Sequence, residues 1–443
     1  MKKINRRDVI KYVSLLTAFS IPLGLKAKSF DLKNDEQPMA DALQNAITLL
    51  TASKESQLVL RKRARKRTRR MIMNNDGNDI NLSNDGFVSP ELFLNSRTSP
   101  LLGSHVDTIM YCDGVNDKYS HASKLTQLPV NNKKAMRAIN ALKEINTDPL
   151  GVMVDFCRQH GKEIFWSMRM NDLHDSAATS LDELTKWKID HPQYLMGTPG
   201  DKSKFLYKWT ALNYGEKEVR NRVLSIIKDV ITRYDLDGIE LDFFRHPLFF
   251  KSQYLGGEAT AEDCRQMTEL IGLIRTACDQ IGQKRNKPLL LAIRIPDSLN
   301  FAKAIGLDVK NWLEQDWIDL MSAGDYFKFE PWKNWAALGN TYKIPVYAVL
   351  TQRRLSDTLN PEEDAEMKLW RGEAIIALEA GINGIYTFNC FKPHDLLFRE
   401  LGDLALLKTL PHVRVESFVN PKAKGVVSPN TWLKNAGAYF KKL

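Results

Sequence analysis

Eight short apolar runs, separated mostly by amphipathic stretches, constrain this chain more than any other feature of it. The runs are Met71–Asn74, Asp107–Cys112, Glu163–Met170, Gly238–Phe244, Leu289–Ile295, Ile318–Met321, Pro345–Leu350 and Gly384–Phe388. Strands joined by helices run parallel, and a parallel sheet must be covered on both faces, which is why its strands read as nearly continuous apolar runs. Eight is also the number that closes such a sheet on itself, so the pattern predicts a (β/α)8 TIM barrel over residues 70–400. The intervening helices are legible. Glu216–Tyr234 sets Val219, Val223, Ile226, Ile227, Val230 and Ile231 on one face. Glu262–Ile281 does the same with Met267, Leu270, Ile271, Ile274 and Cys278, and Pro361–Ala380 stops at Gly381.

The flanks carry other information. Lys2, Lys3, Arg6 and Arg7 precede an apolar stretch from Tyr12 to Leu25, which is the anatomy of a signal peptide over residues 1–27. Asn5-Arg6-Arg7-Asp8-Val9-Ile10-Lys11 resembles the twin-arginine form of that signal. The expectation is an exported protein, periplasmic or extracellular. Residues 28–69 read as a helical lead-in, and residues 401–443 as a basic tail that suggests no chemistry. The five cysteines (112, 157, 264, 278 and 390) form no Cys-x-x-Cys pair. Cys264 and Cys278 fall in one helix, about 21 Å apart at the α-helical rise, too far to bridge. They are expected to be buried apolar fillers.

The net charge of +10 raises the possibility of a nucleic-acid partner, but its distribution argues against one. Residues 1–27 hold six basic side chains and one acidic, and Arg61–Arg70 hold eight basic ones, so the remainder is slightly acidic. The strip Arg61-Lys62-Arg63-Ala64-Arg65-Lys66-Arg67-Thr68-Arg69-Arg70 is expected to be a solvated helix leading into the first strand. A patch for an anionic glycan is the second reading. No later run of apolar residues is long enough and free enough of charge to span a membrane.

Chemistry is best sought on the fourth run, Asp237-Gly238-Ile239-Glu240-Leu241-Asp242-Phe243-Phe244-Arg245-His246-Pro247. Side chains alternate across a strand, so Ile239, Leu241 and Phe243 face the helices while Glu240 and Asp242 point into the barrel near its C-terminal end. Two like charges held there are costly unless paired, hydrogen-bonded or used. Long segments follow the first and third runs (75–105 and 171–213), and such loops lie at the face where barrels do their chemistry.

Leu212-Asn213-Tyr214, Glu218-Val219-Arg220 and Leu236-Asp237-Gly238-Ile239-Glu240-Leu241-Asp242 together resemble the TIM-barrel proteins grouped as "family 10 glycosylhydrolase". Trp166-Ser167-Met168-Arg169-Met170-Asn171-Asp172 and Met71-Ile72-Met73-Asn74-Asn75-Asp76-Gly77 extend the similarity across residues 70–400. The chain departs from that pattern where Tyr214 replaces a proline, Glu240 a histidine and Phe243 a second aspartate. The resemblance implies a barrel and a glycoside hydrolase reaction, but no particular sugar. The strand also resembles the chitinase-type pattern, whose acid would fall on Phe244, a side chain with no proton to donate. It is nearer to an amylase-like strand whose nucleophile would fall on Asp242.

Glycosidic bonds are usually cleaved between two carboxyl groups. Asp242 is the expected nucleophile or base, Asp325 the expected acid, and Glu240 a supporting catalytic group with Arg294. Asp297 reads as turn chemistry. Arg169, Asn171, Asp172, His174, Arg245 and His246 are expected to bind substrate, with Asn74 and Asp76 at the end of the first strand. Trp166 and Tyr326 offer rings for a sugar to stack on. No Gly-rich phosphate loop, His-Glu-x-x-His helix or Gly-x-Ser-x-Gly elbow is present, so no cofactor is implied. Asp242, His246, Asp172 and His174 have metal-ligand chemistry but no recognised ligand spacing. The expected partner is a carbohydrate, with an anionic one among the candidates. The rival readings are a non-catalytic glycan-binding barrel and a metal-dependent hydrolase or deacetylase.

Overall fold

The computed structural model describes residues 57–81, 89–115, 117–200, 205, 208–324, 326–351, 363–414 and 428–440. The expected signal peptide, most of the lead-in and Asp325 lie outside them. Eight strands close into a barrel: β1 Met71–Asn75, β2 Val106–Tyr111, β3 Glu163–Arg169, β4 Gly238–Asp242, β5 Leu290–Ile295, β6 Leu320–Ala323, β7 Val346–Thr351 and β8 Gly384–Phe388. Each pairs in parallel with its neighbours, and β1 meets β8 to complete the ring. Each strand overlaps one of the eight apolar runs. Every residue of β1 and β3–β8 is buried, because helices cover the outer face while the barrel fills its own interior.

The outer layer forms where the periodicity placed it. Helix Lys217–Arg233 buries Val219, Val223, Ile226, Ile227, Val230 and Ile231. Helix Ala261–Arg285 begins at a Thr260 capping box and ends at Asn286 in the left-handed conformation. Inside, Gly238 is required by packing, since a Cβ there would lie 2.2 Å from the Phe165 ring. All five cysteines are buried. Among the described residues no helix is long and apolar enough to cross a membrane.

The basic strip departs from its expected role. Residues 57–65 are helical, and Arg61, Arg65 and Arg69 recur every fourth residue on the buried side. Arg61 Nε (3.1 Å) and Arg65 Nε (2.6 Å) donate to Asp319 Oδ1, while Arg275 Nη1 donates to Oδ2 at 2.7 Å. Arg69 grips both oxygens of Glu163, the first residue of β3, at 2.6 and 2.8 Å. Three of the strip's eight basic residues are therefore an ionic plug in the N-terminal floor, and the other five, Lys62, Arg63, Lys66, Arg67 and Arg70, are exposed. The reason is pairing: a buried guanidinium persists where a carboxylate and further acceptors satisfy it. The floor is the end of the barrel opposite the strand C-termini, so these arginines cannot touch a substrate bound there.

Candidate functional site at the barrel mouth

Strand register assembles the site. Ser167 lies beside Glu240 and Arg169 beside Asp242 across β3 and β4, and Asp242 lies beside Arg294 across β4 and β5. Paired residues on neighbouring strands share a face, so all five point inward. Asp242 ends β4. Its Oδ2 accepts from Arg294 Nη2 at 2.7 Å, and its Oδ1 accepts from the backbone N–H groups of Phe244 and Arg245, each at 2.9 Å. A carboxylate offers about four acceptor positions, so one stays open to a further partner.

Glu240 sits one layer deeper and is wholly buried. Ser167 Oγ (2.6 Å) and the Tyr386 hydroxyl (3.0 Å) donate to its Oε2, while its Oε1 has no hydrogen-bond partner. Burial, reinforced by the Asp242 charge and partly offset by Arg294, pushes Glu240 up to about 7. Glu240 thus carries a proton through much of the neutral range, which is the environment an acid catalyst needs.

The rim is a continuous charge network. Arg169 pairs with Asp76 and, at 2.7 Å, with Asp172. Asp172 Oδ1 lies 2.5 Å from His174 Nδ1, His174 Nε2 meets Arg245 Nη2 at 2.8 Å, and Arg245 Nη1 donates to the Tyr326 hydroxyl at 2.7 Å. Burial alone would raise Asp172, but Arg169 and the two histidines hold it well below the usual carboxylate range. Burial, with Arg245 beside it, holds His246 well below its ordinary value.

Asp172, His174 and His246 bring donor atoms within 4.8 Å of one another. Most of their lone pairs are already engaged, however. His246 Nδ1 accepts the backbone N–H of Leu173 at 3.2 Å, and both ring nitrogens of His174 are engaged. Two guanidiniums bond to these same residues, where a metal cation would be repelled. The donor set fits a hydrogen-bonded network better than a metal centre.

Several expected site residues take other roles. Trp166 faces the helix layer and is fully buried, its Nε1 donating to Asp113 at 2.8 Å, so it offers no ring to a sugar. Strand parity puts it on the outer face with Ile239. Asn171 lies just past the end of β3 and uses its amide on the backbone of Leu212 and Leu248, which ties loops together. The Tyr326 ring is buried against Phe244 and Phe388 and presents no open face. Asn74 does point inward, and its Oδ1 has no partner. Asp297 accepts the backbone N–H groups of Phe329 and Glu330, so it ties two distant segments together rather than forming the local turn expected of it. A cavity lined by Asp117, Lys188 and Arg222 adjoins Arg169 and Asp172 beside the mouth. Neither Glu240 nor Asp242 lines it, and its charges are paired (Arg222–Asp117 2.7 Å, Lys188–Asp175 2.6 Å).

Sequence reasoning missed the polar partners of Glu240. Ser167 and Tyr386 share its inward parity, and alternation along β3 and β8 is the signal that could have identified them. It also missed the tail: Trp432 is fully buried and packs on His246 with ring centroids 5.8 Å apart. Tyr439 and Phe440 pack on Phe329. The described part of the tail therefore covers one side of the mouth, and no local pattern announces that.

Together, fold and site define a closed (β/α)8 barrel with a carboxylate pair at the C-terminal end of its fourth strand. No family model matches this chain, and no curated protein matches it in sequence. Similar solved structures include the alpha-L-fucosidase isoenzyme 2 of Paenibacillus thiaminolyticus, at 13% identity and TM-score 0.44, covering 77% of this chain and 49% of that one. Another is the PgaB (BpsB) glycoside hydrolase domain of Bordetella bronchiseptica, at 10% identity and TM-score 0.45, covering 76% and 99%. A third is a glycoside hydrolase family 18 N-acetylglucosaminidase of Paenibacillus barengoltzii, at 12% and 0.39, covering 77% and 99%. This chain spans about half the length of the fucosidase.

Proposed function

We propose that this barrel is an exported glycoside hydrolase, with Asp242 as nucleophile or base and Glu240 as the proton-carrying carboxyl. The observation that carries the reading is that two carboxyls on one inward strand face sit in different surroundings. Asp242 is ion-paired with Arg294, whereas Glu240 is pushed up to about 7. Residues two apart on a strand have Cα atoms about 6.6 Å apart, so both carboxyls project from one face of β4. In the forward step Glu240 would give its proton to the leaving oxygen. Asp242 would attack the anomeric carbon or take a proton from water. Ser167 and Tyr386 would then hold Glu240 as the anion it becomes. The resemblance of residues 212–247 to the family 10 glycosylhydrolase group supports the same reaction class.

A second reading, a non-catalytic glycan-binding barrel, is favoured by enclosure: Asp242 is 2% exposed and Glu240 not at all. A reducing-end release screen over neutral and anionic polysaccharides separates the two, run on wild type and Asp242→Asn. Turnover that falls at least about a thousandfold in the variant supports the hydrolase. Unchanged turnover removes Asp242 from the chemistry. Equal glycan affinity in both proteins without turnover establishes the binding barrel. Export is tested separately by fractionating cells that express the full chain, and retention in the cytoplasm would refute it.

A further inference from the structure

Two guanidiniums face Phe388 at the end of β8, and a third faces Phe391, three residues beyond it. Arg294 lies 3.9 Å from the centroid of the Phe388 ring and Arg245 5.9 Å from it, while Arg97 lies 4.0 Å from the ring of Phe391. Arg294 has Asp242, and Arg245 has Tyr326 and His174. Arg97 differs from both. It is 4% exposed, and its Nε and Nη1 have no hydrogen-bond partner; the Nε of Arg245 is likewise without one. Donors buried in this way cost several-fold in stability unless something accepts from them.

The neighbouring acids do not meet that need. Asp76 is taken by Arg169. Asp79 accepts from Asn75 Nδ2 at 2.9 Å and from the Ile80 N–H at 3.0 Å, and burial pushes it up to about 6, against the pull of Arg97. Helix Pro90–Asn95 delivers Arg97 to the same end of the barrel as Asp242, in the long segment after β1.

We propose that Arg97, with Arg245, forms a subsite for an anionic substituent of the substrate, a carboxylate or a sulfate ester. The inference rests on reading the mouth as a glycan site and narrows the substrate to an acidic glycan. It also moves the source of any anion preference away from the basic strip, which plugs the opposite end. A guanidinium presents a planar fork that matches either oxyanion, and a flanking phenylalanine keeps water from competing.

The test is equilibrium binding, so it does not depend on turnover. Full-length protein with 15N-labelled arginine is titrated with sodium glucuronate, sodium sulfate and glucose at constant ionic strength, the Arg97 Nε–H signal being assigned by its loss in Arg97→Lys. Saturable movement of that signal with either anion, and none with glucose, is the expected result. The anion that acts shows whether the subsite takes a carboxylate or a sulfate. In thermal melts, glucuronate should stabilise wild type but require at least about tenfold more ligand to do so in Arg97→Gln. An Arg97 signal that neither anion moves, or that glucose moves equally, overturns the subsite. Anion binding without hydrolysis of any acidic glycan would overturn the hydrolase reading and leave the subsite standing.

Discussion

Arg294 reaches from β5 to Asp242 on β4 and donates to its Oδ2 at 2.7 Å, with both side chains out of solvent. Removing Arg294 leaves the Asp242 carboxylate buried without this counter-cation. Arg294→Ala is therefore expected to lose about 3–5 kcal/mol of stability in urea denaturation. The Arg294→Met/Asp242→Leu double variant should lose clearly less than the sum of the two single changes. Additivity would mean that the ion pair contributes nothing.

Proton supply by Glu240 makes a pH prediction with a definite sign. The acid must be protonated, and its folded value of about 7 lies above the ordinary 4.5. Turnover should hold below pH 7 and fall about tenfold per unit above it. Because the folded state binds the proton more tightly than the unfolded chain, ionising Glu240 destabilises the fold. Glu240→Gln should therefore melt at a higher temperature than wild type above pH 7 while losing turnover. A pH–rate profile with no basic limb would remove Glu240 from the reaction.

Asp319 anchors the floor. Three arginines, Arg61, Arg65 and Arg275, converge on one fully buried carboxylate that also accepts the Leu291 N–H at 2.8 Å. Asp319→Ala would remove the buried carboxylate that these three cations share and should cost about 3–5 kcal/mol. The exposed pair Lys186–Asp190 is a control on the same protein, and Lys186→Ala should change stability by less than about 1 kcal/mol.

Acid stability should depend on Asp172. Its folded value lies well below 3.8, so its contribution is complete above the unfolded value near 4 and is lost as pH falls through the folded one. With Arg169→Met, burial would act unopposed by that cation, and the acid-unfolding midpoint should rise by about one pH unit. Circular dichroism during acid titration reads this directly, and an unmoved midpoint would show that Arg169 does not set the value.

The sequence by itself determined the barrel and the strand that carries the carboxylates, because both rest on period. Eight apolar runs had to be buried on both faces, and alternation along Gly238–Asp242 had to send Glu240 and Asp242 inward once Ile239 and Leu241 packed outward. The same parity places Trp166 on the helix side and Ser167 and Tyr386 on the inward face with Glu240. Only the tertiary structure decided which partner each charge received. Arg61, Arg65 and Arg69 read as part of a solvated basic strip until Asp319 and Glu163, more than ninety residues away, draw these three into a floor. Arg294 meets Asp242, Trp432 covers His246, and Arg97 keeps two guanidinium nitrogens without an acceptor, and all three outcomes depend on segments distant in the chain. Periodicity is a local property that burial enforces strand by strand. The energy of a charge depends on what closing the barrel brings within about 4 Å of it, and no local window of sequence contains that.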